Sequence, residues 1–189
     1  MEKIRTFVAI LLPAEVRSRL AEVEKQLIAT KADVKWVPEE NFHITLKFLG
    51  SIEAAKLDAI TDAVREAVEP MNRFEIFLEG AGAFPRPSSP RVIWVGVKTG
   101  KDQLKEIAGR VDTALEKLGF PREDRPFTGH VTLGRARSSQ GIAPLRESID
   151  KLRDEPIGTV MVDSVAVMKS DLHPTGPIYT ALRKVELVA

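Results

Sequence analysis

The chain has 189 residues, 43% of them hydrophobic and 29% charged, a net charge of +1 and no cysteine. That length suits one compact unit or two intimately joined lobes, and the missing cysteines exclude disulfides, thiolate metal sites and cysteine nucleophiles. No window approaches the ~20 apolar residues that span a bilayer, and the near-neutral charge does not resemble the basic footprint of a duplex-coating protein, so a nucleic-acid substrate would have to be held locally.

The N-terminus, Met1 to Arg5, leads into a short apolar run without a small-residue cleavage site, which reads as a cytoplasmic chain with no secretory signal. Arg5 to Leu12 reads as a buried strand, and Pro13 opens a helix with Val16, Leu20, Val23 and Leu27 on one face. Val34 to Val37 is a short strand, Pro38 to Asn41 a turn, and His43 to Leu49 a strand closed by Gly50 and Ser51. Glu53 to Glu69 is helical, with Leu57, Ile60, Val64 and Val68 facing inward, and Arg73 to Leu78 is a further strand. The glycines and prolines between Gly80 and Pro90 predict a loop.

Arg91 to Lys98 alternates Val92, Trp94 and Gly96 against Ile93, Val95 and Val97, as a strand does, and Lys101 to Leu118 is a helix with Leu104, Ile107, Val111, Leu115 and Leu118 inward. His130 to Arg135 is a strand, Pro144 to Leu152 a short helix and Thr159 to Lys169 one strand. Ile178 to Leu187 is the last strand, after a loop at Leu172 to Pro177. The first strand at Arg5, the first helix at Ala14 and His43 recur at Arg91, Lys101 and His130, shifts of 86, 87 and 87 residues. A shared offset across three elements points to an internal duplication and two pseudo-symmetric lobes facing a cleft.

Both repeated strands open on one four-residue word, His43-Ile44-Thr45-Leu46 and His130-Val131-Thr132-Leu133. On a strand, residues i and i+2 share a face, so each imidazole stands beside its threonine hydroxyl while Ile44, Leu46, Val131 and Leu133 enter the core. Two such faces meeting across a pseudo-twofold axis place two imidazoles and two hydroxyls around one site. In-line displacement at phosphorus needs a base on the attacking oxygen and an acid on the leaving oxygen, and histidine serves both roles near neutral pH. The hydroxyls of Thr45 and Thr132 can donate to non-bridging phosphoryl oxygens, so no metal and no cofactor is expected.

A single histidine on a strand is more often structural than catalytic; it is the matched contexts that raise His43 and His130. A third His-x-Thr, His173-Pro174-Thr175, lacks the apolar alternation and carries a proline that cannot join a sheet ladder, so it reads as a loop that could line the cleft. Counting parity along the strands places Lys47 on the His43 face and Arg135 on the face opposite His130; with Arg137 these cations are candidates for phosphate contact or for solvated surface. Phe42, Trp36 and Tyr179 are candidates to stack a base or to fill the core.

The sequence resembles the two-histidine (2H) phosphoesterase superfamily, and most closely its RNA 2′,3′-cyclic phosphodiesterase branch, also called 2′-5′ RNA ligase, the LigT or ThpR family. The matching stretches are Arg5 to Ile10, Trp36, Asn41 to Gly50, Phe84-Pro85, Pro126-Phe127, His130 to Arg135, and a tail with Ser170, Leu172, Pro174, Gly176-Pro177 and Tyr179. One departure is Thr128-Gly129, where members of the family commonly carry proline directly before the second histidine. The resemblance implies an α/β (α+β) fold, a single domain over residues 1–189 built of two lobes, each an antiparallel sheet with helices on its outer face, and an active cleft between them. It also implies opening of an RNA 2′,3′-cyclic phosphate to a 2′-phosphomonoester, reversible as 2′-5′ ligation. His43 would be the proton donor to the leaving oxygen, His130 the proton acceptor from water, and Thr45 and Thr132 the substrate-binding hydroxyls. The partner would be an RNA or oligonucleotide with a cyclic phosphate end, with no membrane involved and the protein a monomer.

Three other readings stay open on the residues alone. The same fold could be a nucleotide-binding sensor without turnover, or a two-histidine enzyme acting on another nucleotide. A structural metal site is the third, although neither motif supplies an adjacent Asp or Glu.

Overall fold

A computed structural model describes residues 1–189. Nine strands form two antiparallel sheets. β1 (Lys3–Leu11), β3 (His43–Glu53), β8 (Ser164–His173) and β9 (Gly176–Glu186) make one, in the order β3-β1-β8-β9. The other holds β2 (Val34–Trp36), β4 (Phe74–Arg86), β5 (Ser89–Thr99), β6 (His130–Ala136) and β7 (Pro156–Val162), in the order β2-β6-β5-β4-β7. The helices are α1 (Ala14–Ile28), α2 (Leu57–Val68), α3 (Lys101–Glu116) and α4 (Ile142–Lys151).

The repeat is visible as geometry: β1, α1 and β3 recur as β5, α3 and β6, and the two motif strands β3 and β6 touch where the sheets meet. The halves are interlaced. α1 follows a strand of the first sheet yet packs on β7 and α4 of the second, while α3 follows β5 yet packs on β3 and α2. The apolar stripes expected on α1 (Val16, Leu20, Val23, Leu27) and α3 (Leu104, Ile107, Val111, Leu115) are buried in one continuous core with Ile44, Leu46, Val131 and Leu133. Leu118 lies beyond the end of α3 and is 40% exposed. No helix is long and apolar enough to cross a membrane.

Three sequence expectations are corrected. The segment expected as a loop from Gly80 to Pro90 is a long hairpin, β4 running on to Arg86 and β5 starting at Ser89, with Pro85 facing Pro90 at its tip. There the ladder is ending, so the missing N–H groups of the prolines cost little. The single strand expected over Thr159 to Lys169 is two: β7 pairs with β4, the chain breaks at Asp163, and β8 pairs with β1 in the other sheet. The burial parity shifts at the break, Val160 and Val162 facing inward before it and Val165 and Val167 after it. Finally, α4 starts at Ile142, placing Pro144 in the first turn, where a helix has no use for its N–H.

Candidate active site

His43 opens β3 directly after a 3₁₀ turn, Glu39–Asn41, set up by Pro38. Its Nδ1 donates to the Asn41 carbonyl at 2.7 Å. A carbonyl only accepts, so Nδ1 carries the hydrogen and Nε2 is left with its lone pair toward the cleft. There the Thr45 hydroxyl lies 2.8 Å from Nε2 and donates to it while the ring is neutral. Phe7 packs on the imidazole at 4.9 Å between ring centres, and Tyr179 meets it edge-on at 5.4 Å. The buried Asn41 side chain donates to the Pro177 carbonyl at 3.0 Å, tying the turn before His43 to the start of β9.

His130 is held by the same device. Its Nδ1 donates to the carbonyl two residues back, Thr128, at 2.8 Å, and Phe84 meets the ring at 5.2 Å and 89°. The Thr128-Gly129 departure therefore leaves the anchor in place. Burial pushes both imidazoles below the usual histidine range. The carbonyl bonds oppose this, while a charge on His130 pushes His43 further down and the Arg135 guanidinium pushes His130 down.

Residues of both sheets line one small cavity of about 100 Å³: His43, Thr45 and Phe48 from β3, and His130, Thr132 and Arg135 from β6, closed by Val37, Asn41 and Tyr179. It opens beside a groove of about 540 Å³ that includes Trp36, Tyr179, Arg5, Lys35 and Arg135. The four side chains of the paired words thus share one site.

The cations fall the other way round from the parity count, and one physical cause explains both. Ala9 pairs with Thr45 but Val8 with Lys47, so Leu46 is a bulge residue; Trp94 pairs with Thr132 but Ile93 with Gly134, so Leu133 is another. One extra residue turns every later side chain to the opposite face. Lys47, expected beside His43, is therefore buried behind the sheet at 3% exposure, with Nζ 2.5 Å from Asp112 of α3 and 2.8 Å from the Pro121 carbonyl. Arg135, expected on the far face, enters the cleft. Arg137 is exposed and lines a different depression with Ser88 and Arg91. Among the aromatic candidates Phe42 is core at 2% exposure, whereas Trp36 and Tyr179 line the groove. His173 is exposed at the tip of the β8–β9 hairpin, facing Gly176, outside the cavity and the groove. Phe7, Val37 and Phe48 were not among the candidate site residues; the alternation of β1 brings Phe7 onto His43, the bulge in β3 turns Phe48 to the cleft, and Val37, just past β2, is held there by its N–H donating to the Leu133 carbonyl at 2.8 Å.

Two antiparallel sheets from a duplicated unit, each presenting a His-x-Thr to a shared cavity, define a two-histidine phosphoesterase. The family description "LigT like Phosphoesterase" matches residues 10–94 and again 95–179, one match per half, and the chain belongs to that family. A protein of Archaeoglobus fulgidus named RNA 2′,3′-cyclic phosphodiesterase is 38% identical over 97% of this chain and all of its own length. One of the same name from Methanothermobacter thermautotrophicus is 35% identical, covering 94% of this chain and 96% of its own. The crystal structure of E. coli LigT complexed with 3′-AMP superposes with a TM-score of 0.80 at 27% identity over the full length of both chains. A crystal structure of a Thermus thermophilus protein does so with 0.79 at 28% identity over 97% of each.

Proposed function

We propose that the chain is an RNA 2′,3′-cyclic phosphodiesterase in which His130 takes the proton of water and His43 protonates the leaving oxygen. The observation that carries this reading is that both imidazoles are pinned through Nδ1 and turned into one cavity of about 100 Å³ with two threonine hydroxyls and a guanidinium. With the cyclic phosphate seated there, the water oxygen bonds to phosphorus as its proton passes to Nε2 of His130. The bond to the ribose 3′ oxygen breaks as Nε2 of His43 delivers a proton to it, leaving a 2′-phosphomonoester. Each proton transfer is worth roughly 10²- to 10⁴-fold.

His130 suits the base because burial, with the Arg135 charge added to it, favours its neutral form. His43 suits the acid because it is walled by Phe7 and Tyr179 on the side of the larger groove, where the ribose and base of the substrate would lie. The hydroxyls of Thr45 and Thr132, with Arg135, meet the charge that develops on the non-bridging oxygens. Arg5 and Lys35 along the groove suit the upstream phosphates of a single RNA strand.

The test is hydrolysis of a short RNA ending in a 2′,3′-cyclic phosphate, in excess chelator, with the phosphomonoester identified. Chelator-resistant formation of the 2′-phosphate is expected. Formation of the 3′-phosphate, loss of activity with chelator, or binding without turnover would each overturn the mechanism.

A further inference from the structure

On the side of His130 away from the larger groove lies a second groove of about 510 Å³, and His130 is the residue common to it and the catalytic cavity. Its floor is the Trp94 indole, which lies flat on the sheet because the neighbouring positions have no side chain. A Cβ on Gly82 of β4 would collide with Trp94 Cη2, and one on Gly96 of β5 would stand 3.0 Å from Cζ3. Phe84 bridges the indole to the histidine, its ring 5.1 Å from Trp94 and 5.2 Å from His130. The indole Nε1 is buried without a hydrogen-bond partner, an arrangement packing alone does not call for. At the far end stand Lys98, Lys101 and Lys105. Lys98 is paired with Glu79 at 3.2 Å, whereas Lys101 and Lys105, from the first turns of α3, are in no ion pair and face only one unpaired acid, Asp102.

An aromatic floor followed by free cations is what a nucleoside and its phosphate require. The place of the groove decides which nucleoside. It opens at His130, the residue assigned as base, and shares no lining residue with the larger groove given to the donor strand, so a hydroxyl presented from it stands beside the base, as the attacking water does.

Resting on the phosphodiesterase reading above, we propose that this groove is the acceptor subsite for the 5′-hydroxyl nucleoside of a second RNA strand. Trp94 stacks its base, and Lys101 and Lys105 hold the phosphate that follows it. The 5′ oxygen then replaces water: it bonds to phosphorus as its proton passes to His130, and the 3′ oxygen leaves with the proton of His43. The two strands are joined 2′ to 5′ without any further reactant, because the bond broken in the cyclic phosphate balances the bond formed. The same groove holds the departing strand when such a linkage is opened.

The experiment incubates the enzyme with a cyclic-phosphate oligonucleotide and a 5′-hydroxyl oligonucleotide and reads the ratio of joined to hydrolysed product in one reaction, a ratio from which enzyme stability and turnover cancel. A Lys101→Ser, Lys105→Ser double variant and a separate Trp94→Leu variant are each expected to lower the ratio at least tenfold at subsaturating acceptor. An unchanged ratio in both overturns the assignment, as does a wild-type enzyme that hydrolyses the donor but neither joins the strands nor is slowed by a 5′-hydroxyl dinucleotide. A wild-type enzyme that hydrolyses no cyclic end instead overturns the phosphodiesterase reading beneath it.

Discussion

Replacing Arg135 by glutamine tests the site most sharply, because two consequences of opposite origin follow from one atom group. The guanidinium lines the cavity with both histidines and both threonines. Losing a charge-assisted hydrogen bond to a phosphoryl oxygen costs about 1.5–3 kcal/mol, or roughly a 10- to 150-fold fall in kcat/KM. The second consequence is a shift in pH dependence. Burial is the main cause holding His130 below the usual histidine range, and the Arg135 charge adds to it. A base must be neutral to act, so the acid limb of kcat/KM reports the pKa of His130 in the free enzyme. Removing the cation raises that pKa, and the acid limb moves to higher pH. The assay is the pH profile of kcat/KM on a 2′,3′-cyclic mononucleotide, with Arg137→Gln as the control because Arg137 lies away from the cleft. A full-rate Arg135→Gln enzyme with an unmoved acid limb would refute both the placement of the guanidinium and the assignment of His130 as base.

Alanine at His43 or at His130 should each lower kcat by roughly 10²- to 10⁴-fold while the thermal melt is preserved, since both rings are only part-buried; near-wild-type turnover in either rules out the paired mechanism. Lys47→Ala should leave kcat of the folded enzyme nearly unchanged but cost about 2–4 kcal/mol, because it strands a largely covered Asp112, its side chain 13% exposed, that keeps only the Glu123 N–H at 3.2 Å and a distant Arg122; a melt within a degree of wild type would contradict this. Glu24, 7% exposed on α1, has its carboxyl pushed up to about 8 from 4.5 by burial and then by Glu39. The folded state therefore keeps a proton that the unfolded chain releases near 4.5, so this group lowers stability progressively as pH rises from 4.5 to 8, by roughly 2–5 kcal/mol in all. Glu24→Gln should melt higher than wild type at pH 9 and level with it near pH 5, and parallel melting profiles across that range would show the carboxyl to be solvated.

Much of this architecture was legible because it depends on period and repetition. The inward stripes of α1 and α3 and the alternation of β5 are periodic over whole elements, and the 87-residue shift between His43 and His130 is a property of spacing alone. The chemistry-bearing face was readable as far as the threonines, two residues on from each histidine. It stopped being readable at Leu46, where a bulge adds one residue with no glycine or proline beside it; at Leu133 the next residue, Gly134, is the kind of mid-strand glycine that marks a bulge, and a plain parity count passes over it. One signal was present in hindsight: Lys47 precedes Phe48 on a strand whose other face is core, and a parity count that puts the lysine outside puts the phenylalanine inside, where the structure leaves it 61% exposed. The hairpin from Gly80 to Pro90 was hidden for a different reason. Gly82 is a breaker in isolation and is needed here only because Trp94, from the strand beside it, lies across its place.

Duplication supplies a symmetric frame, and the differences between equivalent positions then give each half its own role. The bulges fall at matching places, so Phe48 and Arg135 occupy equivalent positions two residues beyond them, one apolar and one cationic. Opposite the threonines, β1 carries Ala9 and β5 carries Trp94; opposite the histidines, β1 carries Leu11 and β5 carries Gly96. The small residue in the first sheet sits in a cluster with Phe7, Ala166, Met168 and Tyr179, of which Phe7 and Tyr179 press on His43. In the second sheet the indole over two glycines opens a path from His130 toward the lysines of α3. The apolar wall of Phe7 and Tyr179 fixes the His43 ring and, by desolvating it, weakens its hold on a proton, while His130 stands at an open groove with the Arg135 cation beside it. The repeated words His-x-Thr-Leu therefore bring two like pairs of side chains to one cavity, while their unlike neighbours on β1 and β5 give the two histidines different surroundings, the difference on which the proposed acid and base roles rest.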